Sequence, residues 1–315
     1  MKKILQIDGG GCKGVIPATV LRYIEETLGE KSHETFDLIS GTSTGAIIGG
    51  CLGYGISAAY IQELYLEHLP KLFKFNPFYF LRHGVKYDRD KFLETMEDYI
   101  PKDFRYRDAK TNMILTTFNL CSMRTHFLKS YDVKDGGEKL IDVIAWSALS
   151  AVLYFGKMVV PNFRWKNFSP SGSIGQKVGA VFQDGGQGIN SCTLENSLME
   201  VLAKWKDEKV VIVSIGCGDV NQYNPISKAR KMRTIRQIGS YLGQARAEAT
   251  QDQVLSGYYV DQMNPNVRVF RLNVELPNKL DKLDGVKHIK EYLDYGEKLV
   301  TKVNPDMIKL LKEGF

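Results

Sequence analysis

Short apolar runs alternate along this chain with stretches whose apolar residues recur every three or four positions, the pattern of strands and amphipathic helices in an α/β protein. Lys3 to Ile7 is the first run. Ile16, Val20, Leu21, Ile24 and Leu28 then share a helical face, so Asp8-Gly-Gly-Gly-Cys-Lys-Gly14 joins a first strand to a first helix. Phe36 to Ile39 predicts a second strand, and Gly41-Thr-Ser-Thr-Gly45 followed by Ala46 to Gly50 reads as a sharp turn entering a helix. Farther on, helices are predicted around Ile61 to His68, from Asp88 to Tyr99, and over Leu140 to Leu149 and Leu194 to Trp205. Strands are predicted over Met113 to Phe118, His126 to Tyr131 and Val178 to Phe182. The β-branched run Val210 to Ile215 has the continuous apolar character of a central parallel strand. A long helix from about Ser227 to Leu255, a strand over Val267 to Val274, and helices over Val286 to Val303 and Asp306 to Lys312 complete the pattern.

No Pro/Ser-rich linker, charge run or internal repeat divides the sequence. The expectation is one α/β domain over residues 1–315, with a mostly parallel central sheet flanked by helices. Apolar content of 43% and charged content of 25% fit a globular chain with a real core and exclude disorder. The five cysteines are scattered without a Cys-x-x-Cys pair, which points to a reducing cytosol instead of a disulfide framework or zinc site. Gln6 and Asp8 interrupt the amino terminus before an apolar stretch of signal-peptide length develops. Leu38 to Gln62 is uncharged but carries six glycines, and Val143 to Gly156 is too short to span a bilayer, so both are expected in the core. The net charge of +6 suits an anionic surface or ligand and calls for no nucleic-acid polymer.

The candidate chemistry gathers at three loops. In a Gly-x-Ser-x-Gly turn the serine takes a strained conformation that lifts its hydroxyl clear of the sheet, and glycines at 41 and 45 avoid collisions with neighbouring backbone. Ser43 is therefore the candidate nucleophile. Gly9, Gly10 and Gly11 can turn several N–H groups into one concavity, suited to a phosphate or to the oxyanion of a tetrahedral intermediate. Asp184-Gly185-Gly186 ends a strand, where a carboxylate is well placed to act as a base. A Ser-acid-His order would need a late histidine, and His288 lies in an evident helix, so a Ser43–Asp184 dyad fits better than a triad. A competing reading takes Gly9-x-Gly11-x-x-Gly14 with Asp37 as a dinucleotide fingerprint of a Rossmann-type oxidoreductase, although Asp37 precedes its strand instead of closing it. Two features stay open: the basic, aromatic stretch Lys71 to Gly84, which is lid, lipid interface or packing, and Arg230, Arg233 and Arg236, which share one side of the long helix as an anion-binding face.

Asp8-Gly-Gly-Gly-Cys-Lys-Gly14, Gly41-Thr-Ser-Thr-Gly45 and Asp184-Gly-Gly186, in that order, resemble the three motifs of the patatin-like phospholipases. Ala145-Trp-Ser-Ala-Leu-Ser-Ala151 with Tyr154-Phe155 resembles that family's small-residue, aromatic segment. The likeness covers about residues 3–218, the motif-bearing core, with 219–315 an α/β completion. Position 13 carries Lys where Arg is frequent, and Asn190-Ser191-Cys192 stands where Asn-Asn-Pro is common. The resemblance implies a lipid acyl hydrolase in which Ser43 attacks a glycerolipid ester, Asp184 is the general base, and glycine-loop N–H groups, those of Gly10 and Gly11 foremost, hold the oxyanion. Asp8, Cys12, Lys13, Gly14, Thr42 and Thr44 support the motifs, and no metal or cofactor is implied. It further implies a cytoplasmic protein working peripherally on a phospholipid membrane, with a cyclic-nucleotide activator, an antiviral effector role and assembly into a homo-oligomer left open. A non-catalytic lipid-binding or storage role is the remaining alternative.

Overall fold

The strand Lys2–Ile7 (β1) is flanked by Leu38–Thr42 (β2) on one side and Val210–Ile215 (β7) on the other, both parallel to it. Asn112–Asn119 (β3) pairs in parallel with β2, and Val267–Leu272 (β9) in parallel with β7. In this computed structural model, which describes residues 1–152, 154–168, 174–188, 191–220, 226–230 and 234–315, β1 is the point where the strand order changes direction. Loops leaving the carboxyl ends of β1 and its neighbours diverge there, and the crevice between them is where an open α/β sheet holds a ligand. The expected parallel sheet is thus present across β3-β2-β1-β7-β9.

The other edge is antiparallel. Arg124–Lys129 (β4) returns against β3 through a tight turn, and Met158–Phe168 (β5) and Ile174–Asp184 (β6) pair with each other, β6 also lying antiparallel to β3. The sequence pattern gives no signal for β5, because Pro161 interrupts it and the pairing shifts register between Val160 and Arg164. Proline is tolerated there because β5 is an edge strand. A two-stranded pair, Asp219–Val220 (β8) with Glu275–Leu276 (β10), sits off the main sheet.

Helices cover both faces, as the periodicity predicts. Val15–Leu28 buries Ile16, Val20, Leu21 and Ile24 and packs against Ile289–Val300. Leu194–Lys204 packs on the opposite side with Thr234–Met263. The uncharged segment after Ser43 forms the helix Thr44–Tyr54, nearly all of it buried, so its apolar character reflects the core. No helix among the described residues is long and apolar enough to cross a membrane.

The stretch 71–84, left open by the sequence, carries the end of a short helix at Leu69–Leu72 and a second at Pro77–His83 capped by the Asn76 side chain. The single helix expected from Ser227 is replaced by Ile226–Ala229 and Thr234–Met263. Arg230 lies exposed in the turn between them, Arg233 falls outside the described residues, and Arg236 is on the second helix. Helical spacing aligns side chains only within one continuous helix, and Arg230 stands just past the helix Ile226–Ala229, while the predicted face as a whole includes Arg233 and so lies outside the described residues.

Candidate active site

Ser43 stands at the carboxyl end of β2, immediately before the helix Thr44–Tyr54, with φ 54° and ψ −121°. Few non-glycine residues adopt a positive φ, and here the sharp reversal from strand to helix imposes it. The flanking glycines are required by close approach: a Cβ on Gly41 would lie 2.3 Å from the Gly45 carbonyl oxygen, and one on Gly45 2.3 Å from that of Ile7. The Ser43 N–H donates to Ser147 Oγ at 3.0 Å, so the helix Leu140–Ala148 steadies the turn from behind.

Asp184 ends β6 opposite Thr117 of β3. Because β6 runs antiparallel, it carries Asp184 to the carboxyl edge of the parallel strands from outside. The Ser43 hydroxyl donates to Asp184 Oδ2 at 2.7 Å, and the Gly186 N–H donates to the other carboxylate oxygen at 2.9 Å. The aspartate is 5% exposed and its own N–H donates to the Ser150 carbonyl. One oxygen is therefore anchored while the other faces the serine.

The glycine loop faces Ser43 across a gap so narrow that a Cβ on Gly9 would sit 3.2 Å from Ser43 Cβ. Its donors are not equivalent. The Gly9 N–H is taken by the Ser191 carbonyl at 2.8 Å and that of Cys12 by the Leu283 carbonyl at 2.8 Å. The N–H groups of Gly10 and Gly11 have no intramolecular acceptor among the described residues, so Gly9 drops from the expected set of three donors. Gly11 has φ 60° and lines the same cavity as Ser43 and Asp184. The wall of that cavity is apolar: Ile47, Leu69, Phe73, Phe92, Leu149 and Phe155.

Several residues that shape the site carry no local signal in the sequence. Asp8 is clamped by Arg271 of β9, with Nη1 at 3.0 Å from Oδ1 and Nη2 at 2.5 Å from Oδ2, and Gln6 and Ser214 complete the buried network. Burial works against the Arg271 charge, but the facing Asp8 carboxylate outweighs it and holds the guanidinium above its ordinary value. The segment 277–288 lies over the loop, contributing Leu283 to the cavity. Asp281 of that segment is paired with Lys13 at 3.3 Å, and Asp284 accepts from Lys86 and Tyr87. Lys13, standing where Arg is frequent in the resemblance, thus reaches this segment with a single ammonium contact.

Other sequence candidates separate from the site. Asp37 lies at the amino end of β2, its carboxylate accepting the Lys3 N–H at 2.8 Å and pairing with Lys2, so it is an anchor between strands and not the partner of a dinucleotide loop. His288 pairs with Glu291 at 2.6 Å, His68 with Tyr99, and His83 stacks on Tyr79; no histidine hydrogen-bonds Ser43 among the described residues. Burial raises the Cys51 thiol to about 12 and pushes those of Cys12, Cys192 and Cys217 higher still, which leaves them protonated and unreactive at neutral pH. Only Cys121 is exposed. Iodoacetamide on the native protein is accordingly expected to add one carbamidomethyl group, at Cys121, with the other four reacting after denaturation; intact-mass and peptide analysis reads this out.

A family model described as patatin-like phospholipase matches residues 5–196, which include all three loops. The chain belongs to this family. Patatin-like protein 2 of Arabidopsis thaliana is 33% identical over 153 residues, covering 42% of this chain and 37% of that protein. The cUMP-AMP-activated phospholipase of Escherichia coli is 27% identical over 227 residues, covering 69% and 64%. These alignments span from about a third to just under two thirds of the relatives' length. Among solved structures, VipD from Legionella pneumophila aligns with a TM-score of 0.44 at 12% identity, over 96% of this chain and 67% of that one.

Proposed function

We propose that this patatin-like protein is a serine acyl hydrolase of glycerophospholipid esters, with Ser43 as nucleophile and Asp184 as general base. The observation that carries the reading is the 2.7 Å hydrogen bond from the Ser43 hydroxyl to Asp184, made by a serine in a strained turn at the floor of an apolar cavity. An acyl chain fits such a wall, while the polar groups converge at one end, which suits an ester whose carbonyl must lie beside the serine.

In this mechanism Asp184 takes the Ser43 proton as the oxygen attacks the ester carbonyl carbon. Negative charge builds on the carbonyl oxygen facing the Gly10 and Gly11 N–H groups, whose lack of other acceptors leaves them ready to receive it. Asp184 then passes the proton to the departing alcohol. In the second half it accepts a proton from the water that attacks the acyl carbon, then returns that proton to Ser43 Oγ as the acyl–oxygen bond breaks and the fatty acid leaves. A carboxylate is a weak base toward a serine hydroxyl, so the step depends on fixed geometry and little water. The Gly186 N–H and near-complete burial of Asp184 support both.

The test is fluorophosphonate labelling of the wild type followed by peptide mapping. A stoichiometric adduct on the peptide bearing Ser43 is expected, and an adduct elsewhere or none on the folded protein would overturn the assignment. Activation by a cyclic nucleotide is proposed on a narrower basis, the family relationship to the cUMP-AMP-activated phospholipase. Phospholipid hydrolysis is expected to rise with a member of a cyclic di- and trinucleotide panel, and a flat response across the panel would remove it.

A further inference from the structure

The stretch from His68 to Tyr87 contains Lys71, Lys74, Arg82 and Lys86 but no carboxylate, and it divides into two parts with opposite surroundings. Its first part turns inward: Leu69 and Phe73 line the cavity beside Ser43, with Phe73 packed edge-on against Phe92. Its second part, the helix Pro77–His83, buries no residue at all. Phe78 is 83% exposed and Leu81 80%, and a spacing of three places them on one side of the helix, with Phe75 and Phe80 also exposed nearby. Lys71, Lys74, Arg82 and His83 are exposed around them.

Exposed singly, such side chains need no explanation, but here four apolar ones and a fringe of cations share one short segment. We infer that the helix Pro77–His83 is the docking element that seats this protein on an anionic lipid bilayer, with Phe78 and Leu81 entering the headgroup region and Lys71, Lys74 and Arg82 meeting lipid phosphates. The inference rests on the hydrolase reading for its purpose and on this segment alone for its geometry. Aromatic and aliphatic side chains beside Lys and Arg, with no acidic residue, match the boundary between acyl chains and anionic headgroups. A second copy matches less well, because a two-fold pairing through this face would bring each cation fringe against its own copy. The backbone from the docked helix leads within a few residues to Phe73 in the cavity wall. A lipid leaving the bilayer at this helix therefore meets the cavity that holds Ser43.

The experiment is co-sedimentation of the full chain with vesicles of phosphatidylcholine alone and of phosphatidylcholine with phosphatidylglycerol in equal parts. The wild type is expected to favour the anionic vesicles, the more so at low salt. Phe78→Glu with Leu81→Glu should weaken binding to anionic vesicles by at least about tenfold, from the lost apolar insertion. Lys71→Gln with Lys74→Gln and Arg82→Gln should cut the preference for anionic over neutral vesicles by about tenfold or more. All of these positions are exposed, so thermal melts should superimpose on that of the wild type and show that the fold is intact. Wild-type-like sedimentation of the Phe78/Leu81 variant would overturn the assignment. So would a wild-type dimer, seen by light scattering, that the same substitutions dissociate while vesicle binding persists. Fluorophosphonate labelling separates the two readings: a wild type that resists the probe but loses vesicle binding in the variants removes the hydrolase and keeps the docking element, and the converse removes only the docking element.

Discussion

Ser43→Ala and Asp184→Ala should each lower phospholipid hydrolysis by on the order of 10⁴-fold or more, and the double variant should be no worse than Ser43→Ala alone. The non-additivity is the informative part. Once the nucleophile is absent the base has nothing to deprotonate, so its removal adds nothing. Asp184→Asn sharpens the comparison, because it is nearly isosteric and its amide oxygen can still accept from the Gly186 N–H, yet the NH2 that then faces Ser43 can neither accept its hydrogen bond nor take a proton. It should fold normally and lose turnover almost as completely as Asp184→Ala. The measurement is fatty-acid release from mixed phospholipid vesicles, with fluorophosphonate labelling on the same samples. Retention of more than about a tenth of the wild-type rate in Asp184→Asn would assign the base elsewhere, since general base catalysis typically contributes far more than tenfold.

Arg271→Met should destabilise the protein by about 3–5 kcal/mol, because it leaves a buried carboxylate without its partner. Arg271 and Asp8 are each only 6% exposed at the side chain, and the guanidinium supplies two of the hydrogen bonds that Asp8 receives. Removing it leaves a carboxylate in a site that water does not reach and frees Ser214 of a partner as well. Arg271→Lys keeps the charge but lacks the planar fork, so a smaller loss is expected. Removing both ends, as in Asp8→Leu with Arg271→Met, should recover much of the stability because no uncompensated charge remains. Urea unfolding of the four proteins measures this. A loss under about 1 kcal/mol in Arg271→Met would mean that Asp8 finds another partner. Because Asp8 opens the glycine loop, the stability loss should be accompanied by slower fluorophosphonate labelling of Ser43.

The features legible in the amino-acid sequence are those decided within a few residues. Gly41, Ser43 and Gly45 announce a turn because the backbone clash they avoid lies within that turn and its neighbouring strand, and the positive φ of Ser43 follows. The continuous apolar run of β7 and the helical spacing after Gly14 likewise reveal their elements, since burial imposes a period on the side chains that meet the core. Membership of the patatin-like family is legible for the same reason, through three local motifs in order. Where the local pattern is ambiguous the reading fails. Pro161 masks β5, the basic stretch after Lys71 conceals a short helix, and the helical period read through Ser227 runs on into Arg230, which stands in a turn. The pairings that assemble the site are decided by the tertiary structure alone. Asp184 reaches Ser43 across 141 residues, Ser147 caps the turn across 104, and Arg271 clamps Asp8 across 263. A lone arginine in a strand, a serine in a buried helix or a leucine in a surface segment has no periodicity to betray its partner. Which donors of the glycine loop stay free was equally hidden, because Gly9 and Gly10 differ only in whether a carbonyl from a distant segment has come to meet them.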